Sequence, residues 1–178
     1  MIELLRKRRS MRAFTEQPVD AGTVETLVES LLRAPTSRGI NPWEFVVVDD
    51  RELIGQLATA KQHGSSFLKG APLAVVICAD STKSDVWIED CSIAAILLQM
   101  TAQSLGLGSC WIQIRKRQRD KETTSEAYIQ ELLGIPDHVK VECMIAIGYP
   151  AQNRQPVPAD ALHYDKVRHN GYAPRWDR

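Results

Sequence analysis

The chain has 178 residues, 44% of them apolar, enough for one domain with a sizeable core and short for two. Lys plus Arg and Asp plus Glu balance at 22 each, so no overall field draws it to nucleic acid or an anionic membrane, and any basic function has to be local. The opening Met1-Ile2-Glu3-Leu4-Leu5-Arg6 lacks the plan of a signal peptide, and no apolar run approaches the roughly 20 residues of a membrane span; the cytoplasm is the expected location.

Ile2 to Lys7 reads as a short helix that delivers the basic run Arg8-Arg9-Ser10-Met11-Arg12, and Phe14 and Pro18 mark an extended exit. Val24, Leu27, Val28, Leu31 and Leu32 have helical spacing, with Asp20 as N-cap and Pro35 as a stop. Glu44 to Val48 is dense in β-branched residues and predicts a strand; Asp49-Asp50 then offers a cap for a helix from Arg51 to about Lys61. Gln62 to Gly70 is polar and predicts a loop, and Pro72 to Ala79 a second, central strand.

Trp87 to Leu105 is the longest helical pattern, with apolar and small residues on several sides that predict burial nearly all round. Gly106-Leu107-Gly108 ends it, Ser109 to Ile114 predicts a strand, and the charged Arg115 to Thr123 is expected to be exposed or mobile. A helix over Ser125 to Leu133, stopped by Gly134 and Pro136, precedes a fourth strand over Val141 to Ile147. The tail from Ala151, with Pro150, Pro156, Pro158 and Pro174 and little periodicity, cannot build its own core and is expected to lie over another surface. Cys78, Cys91, Cys110 and Cys143 stand apart in apolar surroundings and read as core thiols.

Three guanidiniums and a hydroxyl within five residues, at Arg8, Arg9, Ser10 and Arg12, have the donor set for a phosphate carried by a small molecule. A solvated charged face is the alternative reading of the same letters. Further on, Ala34-Pro35-Thr36-Ser37-Arg38-Gly39-Ile40-Asn41-Pro42-Trp43-Glu44-Phe45 leads straight into Val46-Val47-Val48. In this order and spacing the two phrases resemble the nitroreductase-like flavoproteins, and Gly106 to Ile114 adds a third, less specific match.

The resemblance implies a single α+β domain over 1–178: a three-layer fold with a central, mostly antiparallel sheet flanked by helices, and a C-terminal tail that reaches the partner subunit. It implies a homodimer with FMN at the interface. Arg8, Arg9 and Ser10 then fall where the family holds the phosphate and ribityl oxygens, and Arg12 beside the pyrimidine edge, where a fixed cation would stabilise charge arriving with hydride. Pro35, Thr36 and Ser37 match the loop that lines the flavin from the neighbouring subunit. Asn41 stands where a Gln is often seen and keeps its amide; Gly39 stands where an Asn is often seen and loses a donor. Gln113 and Ile114 match positions that bring backbone groups near N5, and Lys166 and Arg168 a basic pair returned to the phosphate.

By the same resemblance, NADH or NADPH and then a small acceptor such as a nitroaromatic, quinone or flavin use the same face of the ring in turn, and the chemistry belongs to FMN, so no catalytic side chain is required. A non-catalytic FMN-binding or storage protein is the alternative. The acceptor would be chosen by the variable segments Lys61 to Lys69 and Arg115 to Thr123, beside a cleft that the short chain leaves open. Other chemistries lack their parts. The four histidines, His63, His138, His163 and His169, form no local metal motif, no nucleophile elbow or nucleotide fingerprint occurs, and the arginine runs lack the aromatic interleaving of a nucleic-acid binder.

Overall fold

The computed structural model describes residues 1–173; Pro174, counted above among the prolines of the tail, lies outside them. Four strands, β1 (Trp43–Val48), β2 (Leu73–Asp80), β3 (Gly108–Gln113) and β4 (Val139–Gly148), form one sheet in the order β1-β2-β4-β3. Every neighbouring pair is antiparallel. The two central strands are the two with continuous apolar runs: β2 is buried along its whole length and β4 along nearly all of it, because helices cover both faces.

On one face, α3 (Arg51–Leu57), a one-turn helix at Ser66–Gly70 and α5 (Ser125–Leu133) pack Ile54, Leu57, Leu68 and Ile129 against Val76, Ile112 and Met144. On the other, α2 (Ala21–Leu32) and α4 (Trp87–Ser104) pack Leu27, Leu31, Cys91 and Leu98 against Val75, Ile77, Cys143 and Ile145. The result is the expected three-layer α+β fold, with the four strands paired antiparallel throughout. Side-chain caps start three helices: Asp20 accepts from Thr23 N at 3.0 Å, Asp50 from Leu53 N at 2.8 Å and Thr124 from Ala127 N at 3.0 Å. All four cysteines are buried thiols; burial pushes Cys78 up to about 12.

Three expectations change. α3 ends at Leu57 and not near Lys61, because Thr59 N and Ala60 N turn to the tighter i−3 carbonyls and the Ser65 hydroxyl takes the Ala58 carbonyl at 2.8 Å. The segment read as loop over Gln62 to Gly70 contains the turn of helix that buries Leu68. Burial of α4 nearly all round is the third: Ile93 and Ile96 are 39% and 40% exposed, so within one chain this helix keeps an apolar stripe facing outward. The charged 115–123 segment is exposed for the most part, and its turns are tied by Arg117 N to Ile114 O at 2.9 Å and Ser125 N to Arg117 O at 3.0 Å.

Candidate functional site

The basic run leaves α1 (Ile2–Lys7) in extended conformation and becomes an edge segment of the sheet. Ser10 bridges Ser109 in parallel, Met11 N donates to Ser109 O at 3.0 Å, and Thr15 N donates to Tyr149 O at 2.9 Å. Alternation along an extended chain then separates the side chains: Met11 goes into the core while Arg12 stays exposed. Two glycines opposite each other in the β3–β4 ladder make this approach feasible. A Cβ on Gly108 would lie 2.7 Å from Met11 Cγ, and one on Gly148 2.5 Å from Pro72 Cδ.

Around the start of β3 the cations converge. The buried Cys110 thiol is pushed up by burial and pulled back by Arg12, by a bond from Ser10, and by Arg8 and Arg154, so the charge of all three arginines is felt at one sulfur. Among the described residues none of Arg8, Arg9, Arg12 and Arg154 has a carboxylate partner. Arg9 donates to the Gln155 carbonyl, Arg154 to the Ser10 carbonyl at 3.1 Å, and Arg12 lies over the Phe67 ring, 5.7 Å from its centroid. Arg154 is a member of the cluster that sequence reasoning missed; its one signal is a basic residue shortly after the Gly148-Tyr149-Pro150 strand end.

The Pro35–Asn41 loop is built at the other edge of α4. Arg38, Gly39 and Asn41 all have positive φ, at 56°, 67° and 52°, so a glycine at 39 avoids strain that another residue would bear, and Asn41 is of a type that tolerates this region. Thr36 Oγ1 donates to Asn41 Oδ1 at 2.8 Å and accepts from Asn41 N at 3.0 Å, which leaves the Asn41 amide nitrogen without a partner among the described residues. Ser37 N donates to Asp90 Oδ1 at 2.9 Å; Asp90 is 2% exposed and its other oxygen is buried and unbonded. Among the described residues no hydrogen bond or ion pair joins this loop to Arg8, Arg9, Ser10 or Arg12.

At the far end of β3, Gln113 is engaged locally. Its amide accepts from Trp111 Nε1 at 2.9 Å and donates to Glu142 Oε1 at 3.1 Å, while Ile114, fully buried one residue past the strand, donates its N–H to Glu142 O at 3.1 Å. Burial pushes the Glu142 carboxyl above its usual range, against the pull of Gln113 and Arg115. The tail returns towards α1, where Leu162 and Tyr164 line a cavity with Leu5 and Arg8. Its basic pair has local partners: Lys166 lies 3.8 Å from Asp165, and Arg168 donates to the Asp165 carbonyl at 2.6 Å. Among the described residues no three His, Cys, Asp or Glu side chains gather to hold a metal, and no helix is long and apolar enough to cross a membrane.

A family model, the Nitroreductase family, matches residues 5–64 and 55–149. The chain belongs to that family. The relation runs through both sequence and structure. An FMN-dependent nitroreductase from Clostridium difficile R20291 superposes with a TM-score of 0.95 at 44% identity, over 97% of this chain and 100% of the other. An Archaeoglobus fulgidus protein named "Putative NADH dehydrogenase/NAD(P)H nitroreductase" is 31% identical over 163 residues, 89% of this chain and 90% of its own length. The structure of an NADPH:FMN oxidoreductase from Vibrio harveyi, complexed with NAD+, matches at 27% identity with a TM-score of 0.80, over 96% and 77% of the two chains. The nitroreductase-family match stops at Tyr149, so Arg154, Lys166 and Arg168 lie beyond it.

Proposed function

We propose that this chain is an FMN-dependent oxidoreductase that takes hydride from NADH or NADPH and passes it, in ping-pong fashion, to a small organic acceptor such as a nitroaromatic, quinone or flavin. The observation that carries the reading is the cluster at the start of β3. Three guanidiniums, Arg8, Arg12 and Arg154, and the Ser10 hydroxyl act on one sulfur, and among the described residues none of the three has a carboxylate partner; such a cluster is stabilised by a bound dianion. Two of the relatives above have FMN in their names.

When bound, FMN supplies the hydride chemistry, and the chain supplies position and charge. Arg8, Arg9 and Ser10 hold the phosphate and ribityl oxygens, with Arg154 tying the segment in place through the Ser10 carbonyl. Arg12 sets a fixed cation at the pyrimidine edge. Gln113 and Ile114 would bring backbone groups near N5. We assign Pro35, Thr36, Ser37 and Asn41 to the flavin site of a second copy, since among the described residues no hydrogen bond or ion pair joins them to Arg8, Arg9, Ser10 or Arg12, and the outward stripe of Ile93 and Ile96 supports that homodimer. The tail, which packs beside α1, would carry Lys166 and Arg168 towards the phosphate and reach the partner. A cytoplasmic location goes with NAD(P)H as donor.

Purified protein is expected to absorb in the flavin bands, to release FMN on denaturation, and to oxidise NADH or NADPH in the presence of a nitro or quinone acceptor. FAD alone, or a colourless protein indifferent to added FMN, would refute the cofactor reading. A yellow protein with no turnover from either nucleotide or from reduced ferredoxin would identify a flavin-binding module instead.

A further inference from the structure

The two segments that sequence analysis assigned to acceptor choice meet in the structure. Gln62 N donates to Gln118 O at 3.4 Å, and around that link Lys61, Gln62, His63, Arg117 and Gln118 line a cavity of about 250 Å3. That is below the roughly 300–1,000 Å3 of a pocket for a whole small molecule and fits one substituent of a larger ligand. Neither Lys61 nor Arg117 has a hydrogen bond or ion pair to a carboxylate among the described residues, although the chain carries as many acidic as basic residues. The two cations are held near each other by backbone that is itself fixed. Arg117 N donates to Ile114 O at 2.9 Å, Arg117 O accepts from Ser125 N at 3.0 Å, and Lys116 between them takes a left-handed φ of 58°.

We propose that the Lys61–Arg117 cavity is an oxyanion subsite that receives the 2′-phosphate of NADPH and so makes this chain select NADPH over NADH. The assignment rests on the reading of the protein as an NAD(P)H-dependent flavoenzyme. Its position suits a donor stacked on the ring: Arg117 stands three residues beyond Ile114, to whose carbonyl its N–H donates, and the Lys61 segment leads into Phe67, over which Arg12 lies. The charge balance suits it too, because burial and the neighbouring Arg117 hold the Lys61 ammonium below its usual range, a strain that a dianion between them relieves. Gln62 and Gln118 add neutral donors at the rim, which leaves the net charge of the cavity positive.

The test uses FMN-loaded protein and the variants Lys61→Gln, Arg117→Gln and the double. Wild type is expected to bind 2′,5′-ADP at least tenfold more tightly than 5′-AMP by calorimetry, and to favour NADPH over NADH at least tenfold in kcat/KM, the difference residing in KM. Both ratios should fall at least fivefold in each single variant and approach one in the double. Inorganic phosphate should compete with NADPH in wild type and not in the double variant; competition that persists in the double variant overturns the subsite. Equal use of NADH and NADPH by wild type, or equal losses for both donors in the variants, overturns the subsite. Failure of both nucleotides to bleach the flavin overturns the donor reading itself, and with it this assignment. Circular dichroism of the variants excludes misfolding as the source of a lost ratio.

Discussion

The N-terminal run Arg8 to Arg12 and the tail segment His163 to Arg168 are both short and basic, and as letters they look alike. In the fold they differ in what stands next to the charge. Asp165 lies 3.6 Å from His163 and 3.8 Å from Lys166, and its carbonyl accepts from Arg168, so the tail's basic groups find partners within three residues. The N-terminal run lies against the sheet through Ser10 and Met11; Arg9 donates to the Gln155 carbonyl, Arg12 lies over the Phe67 ring, and among the described residues neither they nor Arg8 has a carboxylate partner. Exposed pairs such as those in the tail contribute little, whereas cations gathered without a counter-charge are a standing demand for an anion. Compensation, more than the count of basic residues, is what sets the two segments apart.

The most direct way to break this contrast is to remove one cation from each side. Arg8→Ala should weaken FMN binding to apoprotein by ~1.5–3 kcal/mol, the scale of a charge-assisted hydrogen bond, and Lys166→Ala by less than ~1 kcal/mol in the same fluorescence titration. Equal losses would erase the distinction. The seat of the N-terminal run is tested next by Gly108→Ala, which forces a methyl to within 2.7 Å of Met11 Cγ and 3.1 Å of Pro150 Cγ and should cost ~1–3 kcal/mol in denaturant midpoint. Its counterpart is Gly55→Ala in α3, where a Cβ meets nothing within 4 Å; there the helix gains ~0.5–1 kcal/mol.

Arg12 sharpens the contrast from within the run, since its proposed role is electronic. Arg12→Gln should keep most of the affinity for oxidised FMN and lower the two-electron potential by ~20–40 mV, about 1–2 kcal/mol, read by anaerobic titration against a dye. An unchanged potential at full loading would return Arg12 to the surface. The smallest effect is expected at Glu142, where the situation is reversed: a buried carboxylate with one unbonded oxygen and Arg115 4.0 Å away. Burial raises its folded pKa above the unfolded value, so the folded state is favoured while the group is protonated and loses that advantage as pH rises through the folded pKa. Glu142→Gln should therefore add less than ~1 kcal/mol at neutral pH, a gain that disappears on acidification towards the ordinary glutamate range; thermal melts across pH would show it, and a destabilised variant at neutral pH would contradict it.

The strands and most helices were legible because their signals are local. The Leu, Val and Ile runs of β2 and β4 admit little but buried strands, and Asp20 and Asp50 advertise the helices they cap. The end of α3 was not, since it depends on Ser65 reaching back to Ala58. Nor was the exposed stripe of α4: small residues on its other sides make the pattern look buried everywhere, and only the packing of α2 and the sheet reveals which side is left over. In the candidate site the arginine and Pro-Thr-Ser phrases could be read directly. Arg154, Asp90 and Glu142 could not, because their partners, Ser10, Ser37 and Gln113, are separated from them by 144, 53 and 29 positions.

One helix ties two of these features together. Asp90 grips Ser37 from the same α4 that displays Ile93 and Ile96, so the loop proposed to line a neighbour's flavin and the face proposed to meet that neighbour move as one body. Cofactor retention then becomes a matter of mass action. Diluting the protein below its self-association constant would strip each ring of the loop that covers it, and the yellow fraction would fall with protein concentration even at constant free FMN.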